Sequence, residues 1–349
     1  MATVEKVVKE PPGPGGDAAR RPGWTARFPL LAYTARRVLA GLGTLLVATF
    51  LIFACIQVLP GNVAEVVLGR NATPERVARL EEQLHLNDGL VTRYLDYLGG
   101  FLSGDFGRST AALVQGSQVQ IRDVVGPALT NSVVLAVIVL VFFVPLSLLL
   151  GYLSGRRAGN AVDHVVSTTT LAVGALPEFL IGTVLIYVFF SKLGWFPPIS
   201  SLPEGTSAWQ NLDALTLPVL TLLLVSLAFG ARLLRASVVD VLSKEYIAVA
   251  RLNGFSPARI NLRYLFPNAL VPSIQILAQQ VQYLLGGIVV VESVFNYPGI
   301  GAELVRAIAV RDVQEIMIIA TILSVAYIVI NIGADLVCVL LDPRVRTAL

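Results

Sequence analysis

The chain has 349 residues, 55% hydrophobic and 14% charged, against roughly 25% charged in an ordinary soluble domain. That balance excludes a water-soluble fold of this length. The net charge of +3 comes with no basic amphipathic stripe that would argue for nucleic acid. Cys55 and Cys338 each lie inside an apolar run, so neither a disulfide framework nor a thiolate metal site follows from them.

Residues 1–30 contain Pro11-Pro12-Gly13-Pro14-Gly15-Gly16 and scattered charges without an apolar period, which predicts a flexible tail. Val38 to Leu59 form an uncharged run of 22 residues behind Arg36-Arg37. Such a run crosses roughly 30 Å of hydrocarbon and exceeds the core of a signal peptide. The first span is therefore placed at 36–59. From 60 to 126 the chain turns polar, with eight acidic and six basic residues. Thr73-Pro74-Glu75-Arg76 carries the cap, proline and acidic first turn of a helix, with Val77, Leu80 and Leu84 as its apolar stripe. Tyr94 to Ser109 reads as a short helix and a glycine-rich loop. Asn71-Ala72-Thr73 formally matches a glycosylation sequon, and no function is expected of it. His85 and His164 have no second ligand at metal spacing and read as solvated surface.

Val124–Gly155, Ala214–Ala231 and Tyr264–Val291 hold no charge, Val165–Ser191 holds only Glu178, and Ile316–Leu341 only Asp335. These predict spans at 127–154, 165–191, 214–235, 268–291 and 315–341. The expectation is an all-α integral membrane protein of six transmembrane helices, with a core at 127–341 and both termini on one side. Basic residues set the orientation. Lys6, Lys9, Arg20, Arg21, Arg27, Arg36, Arg37, Arg156, Arg157, Arg232, Arg235, Lys244, Arg251, Arg259, Arg263, Arg344 and Arg346 fall on the side of the termini, and the short loops opposite hold Lys192, Arg306 and Arg311. The termini and the 236–267 loop are thus expected in the cytoplasm, with 60–126 and 292–313 outside.

The stretch Arg232 to Arg263 has a grammar of its own. Val238, Leu242, Tyr246 and Val249 recur at helical spacing, so one amphipathic helix is expected up to Gly254, which can close it in the left-handed conformation. Ser256-Pro257 is an N-cap followed by a first-turn proline, so a second helix should run from there until Pro267. Small Ala248 and Ala250 before the break would let a partner approach the backbone closely.

At Ala248, Val249, Ala250, Gly254, Tyr264, Phe266 and Pro267 the sequence resembles the permease subunits of binding-protein-dependent ABC importers. The glycine and proline keep the family's spacing, while Ala248 stands where an acidic residue is usual, and Tyr264 and Phe266 replace aliphatics. The wording Glu245 to Gly254 resembles the dipeptide/oligopeptide branch. So do Tyr94 to Ser109, Val290 to Gly301 followed by Val310-Arg311-Asp312, and the ending Leu340 to Arg346. The resemblance covers about Arg36 to Arg346. It implies a type I ABC importer transmembrane domain with an extracytoplasmic insertion between helices 1 and 2, in the bacterial cytoplasmic membrane. It implies a homologous second permease, two ABC ATPase subunits beneath and a substrate-binding protein outside. No cofactor would be bound by this chain, ATP and Mg being used by the ATPases. Glu245, Tyr246, Ala248, Ala250, Arg251, Gly254, Phe255, Ser256, Pro257 and Pro267 would then form the docking loop for the ATPase. The branch handles dipeptides, longer peptides, glutathione, nickel chelates or glycosides.

Polar residues inside the spans are the other candidates, since polarity in hydrocarbon is costly. Gln275, Gln279 and Gln282 fall on one helical face that would line a translocation path or bond a neighbouring helix, with Gln280 pointing elsewhere. Glu178, after Pro177 and near the middle of the third span, would face an aqueous cavity or serve as an ion site. Asn331 with Asp335, and Asn131 with Ser132, are expected to bond neighbouring helices. Tyr297, Pro298 and Gly299 belong to a tight outer turn that would serve as a gate or a plain re-entrant turn. Asp342-Pro343 should end the last helix, with Arg344 and Arg346 as anchors. The sequence holds no phosphate loop G-x-x-x-x-G-K-[ST], no H-E-x-x-H and no G-x-S-x-G. Three readings stand: an importer permease, a stand-alone ion-coupled transporter using Glu178 or Asp335, and a structural membrane protein.

Overall fold

A computed structural model describes residues 29–58, 63–69, 72–84, 86–203 and 208–341. The tail up to residue 28, Asn71 of the sequon, His85 and the ending from Asp342 lie outside the described residues. Helices α1 (Pro29–Val58), α2 (Val63–Leu68), α3 (Pro74–Gln83), α4 (Leu90–Ser103) and α5 (Thr110–Val114) precede the long α6 (Ile121–Arg156). Then come α7 (Ala161–Gly174), α8 (Glu178–Leu185, continuing as π-helix to Lys192), α9 (Leu212–Leu242), α10 (Glu245–Leu252) and α11 (Pro257–Ile260). The chain ends in α12 (Phe266–Phe295), α13 (Ile300–Val310) and α14 (Val313–Leu341). Among the described residues there is no strand, only an isolated bridge between Arg108 and Gln120. Among the described residues five helices are long and apolar enough to cross a membrane, six if the bent pair α7–α8 is one span. The protein is an all-helical membrane protein.

The third apolar run is where expectation and structure part. The run 165–191 predicts one continuous span, but α7 and α8 meet at 105°. Pro177, extended at ψ 147°, has no N–H to continue the α7 ladder and disfavours helical geometry in the residue before it. Glu178 is therefore the first residue of a new helix, at the break between α7 and α8.

Helix α9 is the central post. In its most apolar window 72% of residues are buried, against 17–33% for the other four long helices. It approaches α6 closely because both carry glycine at the crossing, the small-residue packing that substitutes for a hydrophobic drive between helices in lipid. A Cβ on Gly155 would stand 3.0 Å from the Arg235 carbonyl oxygen, and one on Gly230 would stand 2.7 Å from the Phe143 ring. A buried ion pair ties α7 to the same post: Arg235 donates to both oxygens of Asp163, which also accepts from Gly159 N at 2.8 Å and Ser167 Oγ at 3.1 Å. At the periphery α1 leans on α14, with Arg37 and Asp335 paired at 3.1 Å.

Candidate functional site

The helix expected to run unbroken to Gly254 is in fact two. Helix α9 stops at Leu242, and Lys244 is extended (φ −72°, ψ 145°), which turns the chain before α10 begins at Glu245. Gly254 then takes φ +73°, a conformation that costs a residue bearing Cβ roughly 1–2 kcal/mol, and the Phe255 N–H closes on the Ala250 carbonyl at 3.2 Å. Ser256 Oγ accepts from Arg259 N at 3.3 Å, and Pro257 opens α11. Pro267 does not end the second helix. A π-helical turn at Asn261–Leu265 leads directly into α12, and the helix runs on through Pro267 to Phe295.

This short helix pair closes on a small core of its own, joined to the adjoining ends of α9 and α12 by Leu242 and Tyr264. Ile247, Ala250 and Ile260 are buried together, with Leu242, Phe255 and Tyr264 packed around them. The Phe255 ring stacks on Tyr264 at 6.1 Å and carries the Arg259 guanidinium 4.4 Å above it. The other faces are open: Tyr246, Ala248, Val249, Arg251, Leu252, Gly254, Ser256 and Pro257 are exposed, as is Glu245. Leu252 is 87% and Leu262 71% exposed. Of the two small residues expected at a contact, only Ala248 faces outward; Ala250 belongs to the inner seam.

The glutamine face is divided. Gln282 donates to Asn331 Oδ1 of α14 at 3.0 Å, a bond between helices, whereas Gln279 is exposed. The side chain of Gln275 lies outside the described residues. Buried Gln280 has no partner for Nε2 among the described residues. Gln279, Tyr283 and Gly287 recur every four residues on α12, and Glu178 meets this stripe: a Cβ on Gly287 would stand 3.0 Å from Glu178 Oε1, and the Tyr283 hydroxyl lies beside the same carboxylate. Glu178 therefore meets the same stripe of α12 that carries Gln279 one turn before Tyr283, while Gln282 turns toward α14.

At the opposite end of the bundle Asn296 (φ 49°) reverses the chain into Tyr297-Pro298-Gly299. Tyr297 is fully buried; its hydroxyl donates to the Asn131 carbonyl at 2.9 Å while Asn131 Nδ2 donates to the Pro298 carbonyl at 2.8 Å. Burial pushes the Tyr297 hydroxyl well above the usual phenol range. Two acids that the sequence reading did not single out organise this corner. Buried Glu292 accepts from Ser132 Oγ, from Gly301 N at 2.7 Å and from Ala302 N at 3.3 Å, capping α13. Buried Asp312 accepts from Ser109 Oγ, Thr110 N (3.1 Å), Thr110 Oγ1 (2.7 Å), Ala111 N (3.3 Å) and Glu315 N (3.2 Å), fastening the start of α5 to the start of α14. Their signal was an acid just before a Y-P-G turn and one just before a long apolar run, which is where helix starts need acceptors. Among the described residues no cluster of His, Cys, Asp and Glu could hold a metal.

Comparison with known proteins gives matches over nearly the whole described chain. Residues 144–347 match the model of the family described as "Binding-protein-dependent transport system inner membrane component", and 30–117 match its N-terminal companion. A probable peptide ABC transporter permease protein, y4tP of Sinorhizobium fredii, is 32% identical over 90% of this chain and 99% of its own length. The glutathione transport system permease protein GsiC of Escherichia coli K12 is 31% identical over 91% and 99%. The oligopeptide transport system permease protein AppB of Bacillus subtilis is 30% identical over 91% and 100%.

Proposed function

From the premise that this chain belongs to the binding-protein-dependent transport system inner membrane components, the permease subunits of ABC importers, we propose that it forms half of the translocation path of an ATP-driven peptide importer. In this reading it is coupled to its ATPases through α10 and α11. Relatives named for peptides, oligopeptides and glutathione support a substrate with a peptide backbone. The observation that carries the coupling is the build of α10–α11: a short helix pair closed around its own Ile247, Ala250 and Ile260 and presenting Tyr246, Ala248, Val249 and Leu252 outward has the shape of a ball for another protein's socket.

The mechanism follows from that geometry. ATP-driven closure of two ATPase subunits beneath would displace α10–α11, and the displacement would pass into the adjoining ends of α9 and α12. These helices would shift against a second permease, opening the path alternately to the two sides. The edge bearing Glu178, Gln279 and Tyr283 is the side of this chain that would line the path, its amide, phenol and carboxylate suited to the termini and amides of a peptide. Hydrolysis, with its ATP and Mg, belongs to the partner subunits, and a binding protein would deliver substrate outside. The basic residues beside α10–α11 support a cytoplasmic position for that end and for the termini.

The test is ATP hydrolysis in lipid vesicles by this chain co-purified with its ATPase, with a peptide-loaded binding protein added. Stimulation in the parent is expected, with its loss in Gly254→Trp. Gly254→Asn, a residue that tolerates left-handed backbone, should keep it. Uptake driven by an ion gradient without any ATPase would overturn the reading.

A further inference from the structure

Helix α4 sits inside the polar 60–126 segment, yet its contacts belong to the membrane. The Tyr94 hydroxyl donates to the Leu46 carbonyl of α1 at 3.1 Å and lies 3.0 Å from Thr49 Oγ1. Its ring packs on Phe50 at 5.7 Å and on Phe53 at 5.5 Å. Buried Tyr97 stacks on Phe53 at 6.4 Å and bonds Thr321 Oγ1 and the Met317 carbonyl of α14. Every one of these partners lies inside the apolar windows Leu31–Ile56 and Val313–Leu340. By helical rise, Phe53 is about 4.5 Å and Leu46 about 15 Å inside the Ile56 end of its window.

The rest of α4 is divided along its length. Val91, Leu95 and Leu102 share one face and are 73%, 59% and 83% exposed. Beside them runs a second exposed row, Thr92, Asp96, Gly99 and Ser103, at the same spacing one residue on. The apolar row flanks Tyr94, whose ring packs on Phe50 of α1, and on α1 Val47, Phe50 and Leu51 are each more than half exposed within the apolar window. A helix with an apolar edge at hydrocarbon depth and a polar edge above it has the build of an in-plane membrane helix, whose apolar face sinks about 5–10 Å into the boundary.

We propose that α4 is an interfacial membrane helix whose Val91, Leu95 and Leu102 lie among lipid acyl chains next to α1, with Thr92, Asp96, Gly99 and Ser103 turned to water. Tyr94 and Tyr97 fix its depth by reaching to α1 and α14. The segment between the first two spans is thus partly a lipid-bound platform. The inference rests on the chain being a membrane permease and not on its substrate or its coupling.

Spin labels test it. Cysteines replacing Val91, Thr92, Leu95, Gly99 or Leu102, one at a time in a Cys55→Ala, Cys338→Ala background, are labelled with a nitroxide. The full chain, with whatever subunits co-purify, is placed in discs of phosphatidylethanolamine and phosphatidylglycerol. Collision rates with oxygen, which concentrates in lipid, and with a water-soluble nickel chelate are then compared. The oxygen-to-nickel ratio should be higher at 91, 95 and 102 than at 92 and 99. Nickel reaching 95 and 102 as readily as 92 would mean a helix in water and overturn the proposal. Exclusion of both probes from 95 and 102 would mean a protein partner and overturn it equally. A label that disturbs one site leaves the other two to decide.

Discussion

The two ends of the bundle are held by opposite means. At one, α10 and α11 are joined by three buried apolar side chains of their own and leave an apolar face outside. At the other, α13 and its neighbours close around two buried carboxylates, Glu292 with three donors and Asp312 with five. A buried charge is tolerable only when its partners are all in place, so such a corner has one geometry. An apolar seam is non-directional and can slide as a body. The fastened end suits a fixed frame, and the loosely seated end suits a part that a partner moves.

The largest expected effect is at the frame. Glu292→Ala removes the acceptor for Ser132, Gly301 and Ala302 in a buried place, and an orphaned buried donor costs about 1–3 kcal/mol. Melting of the purified protein should fall steeply, with most folded yield lost, and Glu292→Gln should fall between mutant and parent. A melting point for the alanine variant equal to the parent's would show that the corner is not fixed by this acid.

A matched pair of glycine substitutions sharpens the contrast. A Cβ on Gly299 would land on the Glu292 carboxylate, while one on Gly254 meets nothing within 4 Å. Gly299→Ala is thus an overpacking change, costing about 1–3 kcal/mol. Gly254→Ala meets only backbone strain at φ +73°, about 1 kcal/mol. Thermal melting should rank Gly299→Ala below Gly254→Ala, and ATPase stimulation should rank them the other way relative to their stability. On the outer face of α10, Leu252→Asp should change melting by no more than about 0.5 kcal/mol, as surface changes do, yet abolish stimulation. Unchanged stimulation would remove that face from the coupling contact.

Much of this was legible because the signals were local or long. Runs such as Val124–Gly155 leave a helix as the form that satisfies its backbone in lipid, and the Thr73-Pro74 start is a cap whose chemistry lies within four residues, Thr73 Oγ1 accepting from Arg76 N at 3.4 Å. What escaped was tertiary. Nothing local distinguishes Pro177, which breaks a span, from Pro145 and Pro218, which sit inside helices; the neighbours of the freed backbone decide. Gln275, Gln279 and Gln282 share a face by periodicity, but the partners are tertiary: Gln282 meets Asn331 of α14, while Glu178 of α8 meets Tyr283 and Gly287. Glu292 and Asp312 were visible as residues within family-like stretches, while their eight donors come from 109 to 315 in sequence and could not be assembled from spacing.

The smallest expected effect lies on the rim of the fastened corner. Arg306 donates to Glu303, one turn before it on α13, and to Glu315 at 3.1 Å. Burial pushes Glu303 up, but hydrogen bonds from the Arg306 guanidinium and from Glu315 together hold the carboxyl below its ordinary value of 4.5, while the contact with Glu303 holds Arg306 above the usual guanidinium range. A carboxyl whose folded value is depressed adds stability at pH above its unfolded value and loses it as pH falls through the folded one. The Arg306 side chain is 52% exposed, so the pair is screened and worth about 0.2–1 kcal/mol. Melting of the parent between pH 7 and pH 3 should therefore include a shallow loss below pH 4.5, removed in Glu303→Gln and flattened by high salt. If the glutamine variant keeps the same slope, the acid sensitivity of this end belongs to the buried carboxylates, and the rim contributes nothing to the frame.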